Sequence, residues 1–142
     1  MDIDVARVAR ECAEAMYAAD ASTRALGITI DEVGPGRATA RMTLTGEMLN
    51  GYAMAHGGYL FLLADTAFAY ACNTHDRRTV ASGCDIDFLA AGAAGDRLAA
   101  TAVERVRTGR SGLYDVTVRR EADGAVLAEM RGRSREVPGA VR

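Results

Sequence analysis

Hydrophobic and polar positions along the chain follow two different periods. In "DVARVARECAEAM" the residues Val5, Val8, Cys12, Ala15 and Met16 recur at steps of three and four, which makes one apolar stripe on a helix. The stripe fades near Asp20-Ala21-Ser22, so a helix is expected over residues 1–20. The period then drops to two. In "GRATARMTLT" Arg37, Thr39, Arg41, Thr43 and Thr45 alternate with Ala38, Ala40, Met42 and Leu44, the signature of a half-buried strand. "LGITIDEV" precedes it across Gly34-Pro35-Gly36, a turn sequence, and the two segments read as a hairpin.

Residues 57–73, "GGYLFLLADTAFAYACN", obey neither pattern. The segment is too long for a usual strand and apolar on nearly every side, which marks a helix enclosed by other structure. One carboxylate, Asp65, stands in its middle. Strand character returns in "TVASGCDIDFL", "DRLAATAVERV", "GLYDVTVRR" and "AVLAEMRGRSREV". The breaks between them are Ala91-Gly92-Ala93-Ala94-Gly95, Thr108-Gly109-Arg110-Ser111-Gly112 and Asp123-Gly124, the last expected to make a tight hairpin turn. The tail after Pro138 is expected to fray.

The order helix, two strands, central helix, four strands predicts an α+β fold. An antiparallel sheet of about six strands must curve round a single apolar helix and still leaves part of it uncovered. A second copy of the chain is the obvious lid.

At 142 residues the chain is read as one domain, 1–142, with no internal repeat or linker. A formal charge of −2 and the lack of any basic run exclude nucleic acid as the expected partner. The N-terminus lacks signal-peptide character, and the apolar run Gly58 to Ala71 is shorter than the roughly 20 residues of a membrane span. A cytoplasmic location without membrane attachment is expected. Cys12, Cys72 and Cys84 are odd in number and irregularly spaced, so they read as incidental thiols rather than disulfides or zinc ligands.

"NGYAMAHGG", "LADTAFAYACN" and "DFLAAGAAGDRL", at these mutual spacings, resemble the hotdog-fold acyl-CoA thioesterases of the phenylacetate-degradation (PaaI) type. The resemblance runs from about Met16-Tyr17 to "RGRS" and is densest between Asn50 and Gly95. It implies a sheet wrapped round a central helix, pairing into a dimer and commonly a tetramer. It further implies hydrolysis of a thioester to CoA and a free acid, with no metal and no cofactor. By the same resemblance the N–H of Gly57 polarises the thioester, Asp65 is nucleophile or general base, and Asn50 lines the site. Aryl-acyl substrates such as phenylacetyl- or hydroxyphenylacetyl-CoA are implied as well.

The residues support such chemistry on their own terms. His56-Gly57-Gly58 stands where the long helix begins, so free N–H groups and the positive dipole end face outward there. Burial of Asp65 pushes its pKa upward, and Thr66 or Asn50 could supply the donor that opposes this. Gly57 and Asp65 are eight residues apart, about 12 Å along a helix, too far to act on one carbonyl within one chain. Across a two-fold axis Gly57 of one subunit can face Asp65 of the other. His56 could transfer a proton or only orient the loop. Gly58 and Thr66 are candidates for substrate binding, and Tyr52, Tyr59, Leu62 and Phe68 for acyl contact.

For CoA, Ser82-Gly83 could admit the pantetheine arm. Arg110 with Ser111 and Gly112 could meet the phosphates, or form an ordinary turn with a solvated arginine. Asp85 and Asp87 share one strand face about 7 Å apart and read as a solvated pair. The family resembled usually carries threonine at Asp85. His75 reads as exposed and inert. Two other functions stay open: a non-catalytic acyl-CoA-binding hotdog module, and a hotdog enoyl thioester hydratase.

Overall fold

A computed structural model of the chain describes residues 3–142. Helix α1 spans Ile3–Ala19; Met1 and Asp2, included in the expected helix, lie outside the described residues. A one-turn helix, α2, follows at Ala21–Ala25 and has no counterpart in the periodicity. Asp20 between them explains it. Its carboxylate accepts from the Thr23 N–H at 3.2 Å and the Thr23 hydroxyl at 2.7 Å, which caps the new helix start. The Tyr70 hydroxyl also donates to this carboxylate at 3.0 Å and ties the N-terminal helices to the central one.

Six strands form one sheet: β1 Thr29–Gly34, β2 Arg37–Thr43, β3 Thr79–Phe88, β4 Arg97–Thr108, β5 Ser111–Arg120 and β6 Val126–Glu136. Their order is β1-β2-β4-β5-β6-β3, with every neighbouring pair antiparallel. The central helix α3, Gly57–Cys72, lies against one face of this sheet. Opposite it, β2 and β4 present Ala38, Ala40, Ala100 and Ala102, all 0 % exposed. Side chains this small let the helix axis come close to the strands.

The opposite face of the sheet is polar. One straight cross-strand row runs Asp31, Thr39, Thr101, Thr117, Glu129, Asp87. Within it the Thr39 and Thr101 hydroxyls lie 3.0 Å apart, and the Thr117 hydroxyl donates to Glu129 at 2.7 Å.

Phe68 fixes how α3 sits. Its ring lies over Gly132 of β6, where an added Cβ would come within 2.8 Å of it, and 5.5 Å from the Tyr114 ring centroid. Leu60, Leu63, Ala64, Ala67 and Ala71 of the same helix are buried. Phe61, Leu62, Asp65 and Ala69 are only half-buried, so one stripe of the helix is left without cover. The edge strand beside it, β3, exposes Val80 at 47 % and Phe88 at 53 %. The other edge, β1, is kinked: Glu32 takes φ 51° and the register shifts between Asp31 and Gly34.

Two expectations need correction. The β5–β6 connection is not a two-residue turn but residues 121–125, with Gly124 at φ 72° and Asp123 accepting from the Ala125 N–H at 3.0 Å. The tail after Pro138 is pinned rather than frayed. Asp76 accepts the N–H groups of Val141 and Arg142 at 3.1 and 3.0 Å, and the Arg142 guanidinium bridges Asp76 and Glu11. No helix among the described residues is long and apolar enough to cross a membrane.

Truncating Phe68→Ala removes the ring seated on Gly132, and we expect it to lower unfolding free energy by about 3–5 kcal/mol. Urea denaturation at fixed protein concentration measures this, and a loss under about 1 kcal/mol would contradict the packing described.

Candidate active site

The loop before α3 is built around Asn50. Its side-chain oxygen accepts from the N–H groups of Tyr52 at 2.9 Å and Met54 at 3.2 Å, while its own N–H donates to the Met54 carbonyl at 2.7 Å. The amide orientation follows from these two donors, and the NH₂ group has no acceptor among the described residues. His56 then caps the helix: its Nδ1 accepts from the Gly58 N–H at 2.9 Å, and its carbonyl takes the Tyr59 N–H. The cap occupies Gly58 and Tyr59 and leaves the Gly57 N–H without an acceptor among the described residues. That open amide stands at the positive end of a sixteen-residue helix.

Asp65 lies two turns further on, in the uncovered stripe. No donor among the described residues reaches its carboxylate, and burial pushes its pKa upward. Thr66, a candidate donor, does not serve: its hydroxyl is spent on the Leu62 carbonyl at 2.7 Å. Asn50 makes no bond to Asp65 within the chain either.

Strand β3 runs beside this stretch. Phe88, Ile86 and Cys84 alternate on its helix-facing side, spanning about 13 Å, much the same as the 12 Å from Gly57 to Asp65. At one end the Phe88 ring would lie 3.2 Å from a Cβ placed on Gly57. At the other, the Cys84 thiol is raised chiefly by burial and then by the charge of Asp65. Phe88 was not among the residues expected here. The signal that could have found it is its alternation with Asp85 and Asp87, which sets Cys84, Ile86 and Phe88 together on the other strand face.

The remaining candidates separate. Tyr52 is 84 % exposed at the loop tip, and Tyr59 and Leu62 are half-buried beside the open stripe. Phe68 is 0 % exposed and packs within the chain's own core, so it is no acyl contact. His75 is neither exposed nor partnerless, since its Nε2 lies 2.9 Å from a Glu104 oxygen that also accepts from the Tyr114 hydroxyl at 2.9 Å. Cys12 and Cys72 are buried, and the Cys72 thiol is pushed up to about 12 by burial. Asp85 and Asp87 face outward as expected, with Asp85 paired to Arg133 at 2.8 Å.

Ser82, Ser111 and Gly112 converge with Val106, Thr108, Leu113, Arg133 and Ser134 on a groove of about 350 Å³ on the sheet's outer face. Gly83 forms the bed beneath Arg133. Arg110 does not line this groove. A larger hollow of about 580 Å³ between α1 and β1 shares no residue with the loop, Gly57 or Asp65 and carries no comparable chemistry.

A sheet wrapped on one apolar helix, with an open amide at the helix start and a lone acid within it, defines the hotdog class. The family model of the thioesterase superfamily matches residues 52–127, and the chain belongs to that superfamily. It is 48 % identical over 129 residues to the acyl-coenzyme A thioesterase PaaI of Escherichia coli, covering 91 % of each chain. It is 40 % identical to a putative esterase of Deinococcus radiodurans, over 75 % of this chain and 73 % of that one. The solved structure of E. coli PaaI superposes with a TM-score of 0.93 at 46 % identity, covering 96 % of this chain and 98 % of the other.

The raised pKa of Asp65 has a consequence for stability. The folded chain holds this proton more tightly than the unfolded one, so stability is lost as pH rises from the ordinary 3.8 through the raised value. We expect Asp65→Asn to be more stable than wild type at neutral pH, the difference vanishing below that window. Urea unfolding over a pH series measures it, and a variant less stable at neutral pH would contradict the environment assigned to Asp65.

Proposed function

We propose that the protein hydrolyses acyl-CoA thioesters at a site shared by two subunits. The observation that carries this reading is the pairing, on one uncovered helix face, of an amide with no acceptor and an acid with no donor. Gly57 of one subunit supplies the N–H that stabilises the oxyanion, and Asp65 of its partner supplies the base or nucleophile. In the base form, Asp65 takes a proton from water as its oxygen bonds the carbonyl carbon. The tetrahedral intermediate then expels the CoA thiolate, and the acid product leaves.

A thiol of about pKa 8.5 departs readily as its anion, so no strong general acid is required. This fits His56, whose Nδ1 is occupied by the helix cap. We assign His56 to holding the loop and the free Asn50 amide to orienting the carbonyl or the water. Phe88, Tyr59 and Leu62 form the acyl wall, Tyr52 its outer lip, and Gly58 the close approach beside Gly57. The Phe88 ring stands against Gly57 and supports aryl-acyl substrates such as phenylacetyl- or hydroxyphenylacetyl-CoA. The 48 % identity to a protein named acyl-coenzyme A thioesterase PaaI supports the same activity. The bare stripe of α3 supports a dimer, and a tetramer of two such dimers belongs to the same proposal. So does a cytoplasmic location, where acyl-CoA is found.

A panel of aryl- and fatty-acyl-CoAs with a thiol reagent tests the reaction. Asp65→Asn is expected to lower kcat at least about a hundredfold on the best substrate, as loss of base or covalent catalysis does. An unchanged rate would end the mechanism. The shared site has its own test. Asp65→Asn and Gly57→Val subunits, each inactive alone, should on random mixing recover about a quarter of wild-type activity, because half the dimers carry one intact site. No recovery from mixed dimers would place both groups in one chain.

A further inference from the structure

Arg133 lies on β6 across from Gly83, and its guanidinium fills the space where a side chain on Gly83 would be, 2.9 Å from an added Cβ. One nitrogen donates to Asp85 at 2.8 Å, and the other donors of the fork have no acceptor among the described residues. Both groups are open to water, Arg133 at 43 % and Asp85 at 80 %. A pair so exposed adds at most about 1 kcal/mol to stability, so the fold has little use for it. Its neighbours Arg105 and Arg131 are both engaged by Asp115. Arg133 therefore brings a largely free fork to the rim of the outer groove. Hydroxyls of Thr108 and Ser111 and the apolar surfaces of Val106 and Leu113 line that groove.

Resting on the acyl-CoA reading above, we infer that Arg133 binds the phosphates of CoA and that Asp85 is its resident counter-ion, lowering affinity for the nucleotide. The planar fork suits bidentate contact with phosphate, and a carboxylate beside it repels the same oxygens. Edge strand β3, with the small residues Ala81, Ser82 and Gly83 at its register shift, borders the groove through Ser82 and packs beside α3, the helix that carries Asp65. A thin arm can pass over that edge. Cys84 marks how near the two faces are, since it feels the charges of both Asp65 and Arg133. Weakening the nucleotide contact has a purpose: binding shared equally by substrate and product does not raise kcat, and it slows release of CoA.

Calorimetric titration of CoA, and separately of pantetheine, into wild type, Arg133→Gln, Arg133→Lys and Asp85→Asn at low salt tests the inference. CoA Kd should rise about tenfold in Arg133→Gln, rise less in Arg133→Lys, and fall about threefold in Asp85→Asn, with pantetheine not following. CoA Kd values within about twofold of one another, or pantetheine shifting in parallel, would overturn it. Thioester turnover measured on the same preparations keeps the two ideas apart. Turnover with unshifted Kd rejects the phosphate site alone, whereas shifted Kd without turnover by wild type rejects the hydrolase and leaves the phosphate site standing.

Discussion

A sheet can cover only one side of a helix, and α3 is apolar on nearly every side. That mismatch governs the molecule. Phe68 settles the covered side by packing on Tyr114 of β5 and Gly132 of β6, while alanines on β2 and β4 set how near the helix lies. The uncovered side carries Asp65, the one acid of the helix. Asp65 is partly desolvated there without being sealed in, and its pKa rises for that reason.

The helix start solves a separate problem. Four N–H groups of any helix begin without partners within it. His56 takes two, through its ring nitrogen and its carbonyl, and its own N–H donates to the Met48 carbonyl at 2.8 Å. What remains is a single directed donor at Gly57, with Phe88 set so close that a side chain at this position would meet the ring. The same loop spends the oxygen of Asn50 on its own turn and releases the nitrogen. Local backbone satisfaction thus decides which polar groups are left for a ligand.

Most of the fold was legible in the chain because it rests on short-range periodicity. The alternation in β2, the all-apolar run of α3 and the glycine-bearing breaks between later strands each announced their element. Residues 56, 57 and 65 were legible too, since a helix start and a lone acid are local facts. Contacts between strands distant in sequence were not. Arg133 meets Gly83 and Asp85 only because β3 inserts beside β6 at the sheet edge, so the cation beside Ser82 could not be told from Arg110 by spacing. Phe68 went wrong for a related reason: on a helix without a polar face, period alone does not say which side meets the sheet. The pinned tail depended on Asp76, whose partners lie 65 and 66 residues away.

The two margins of the sheet differ in a way that limits growth. At β1 the backbone turns aside at Glu32, so its hydrogen-bonding groups do not present a straight line to another strand. At β3 the run from Gly83 to Phe88 stays in register with β6 and offers one straight margin. Fibres of stacked sheets need two such margins per molecule, one to accept and one to offer. With only one, any strand-to-strand joining of copies uses it up at the first encounter, and the particle is finite from the outset.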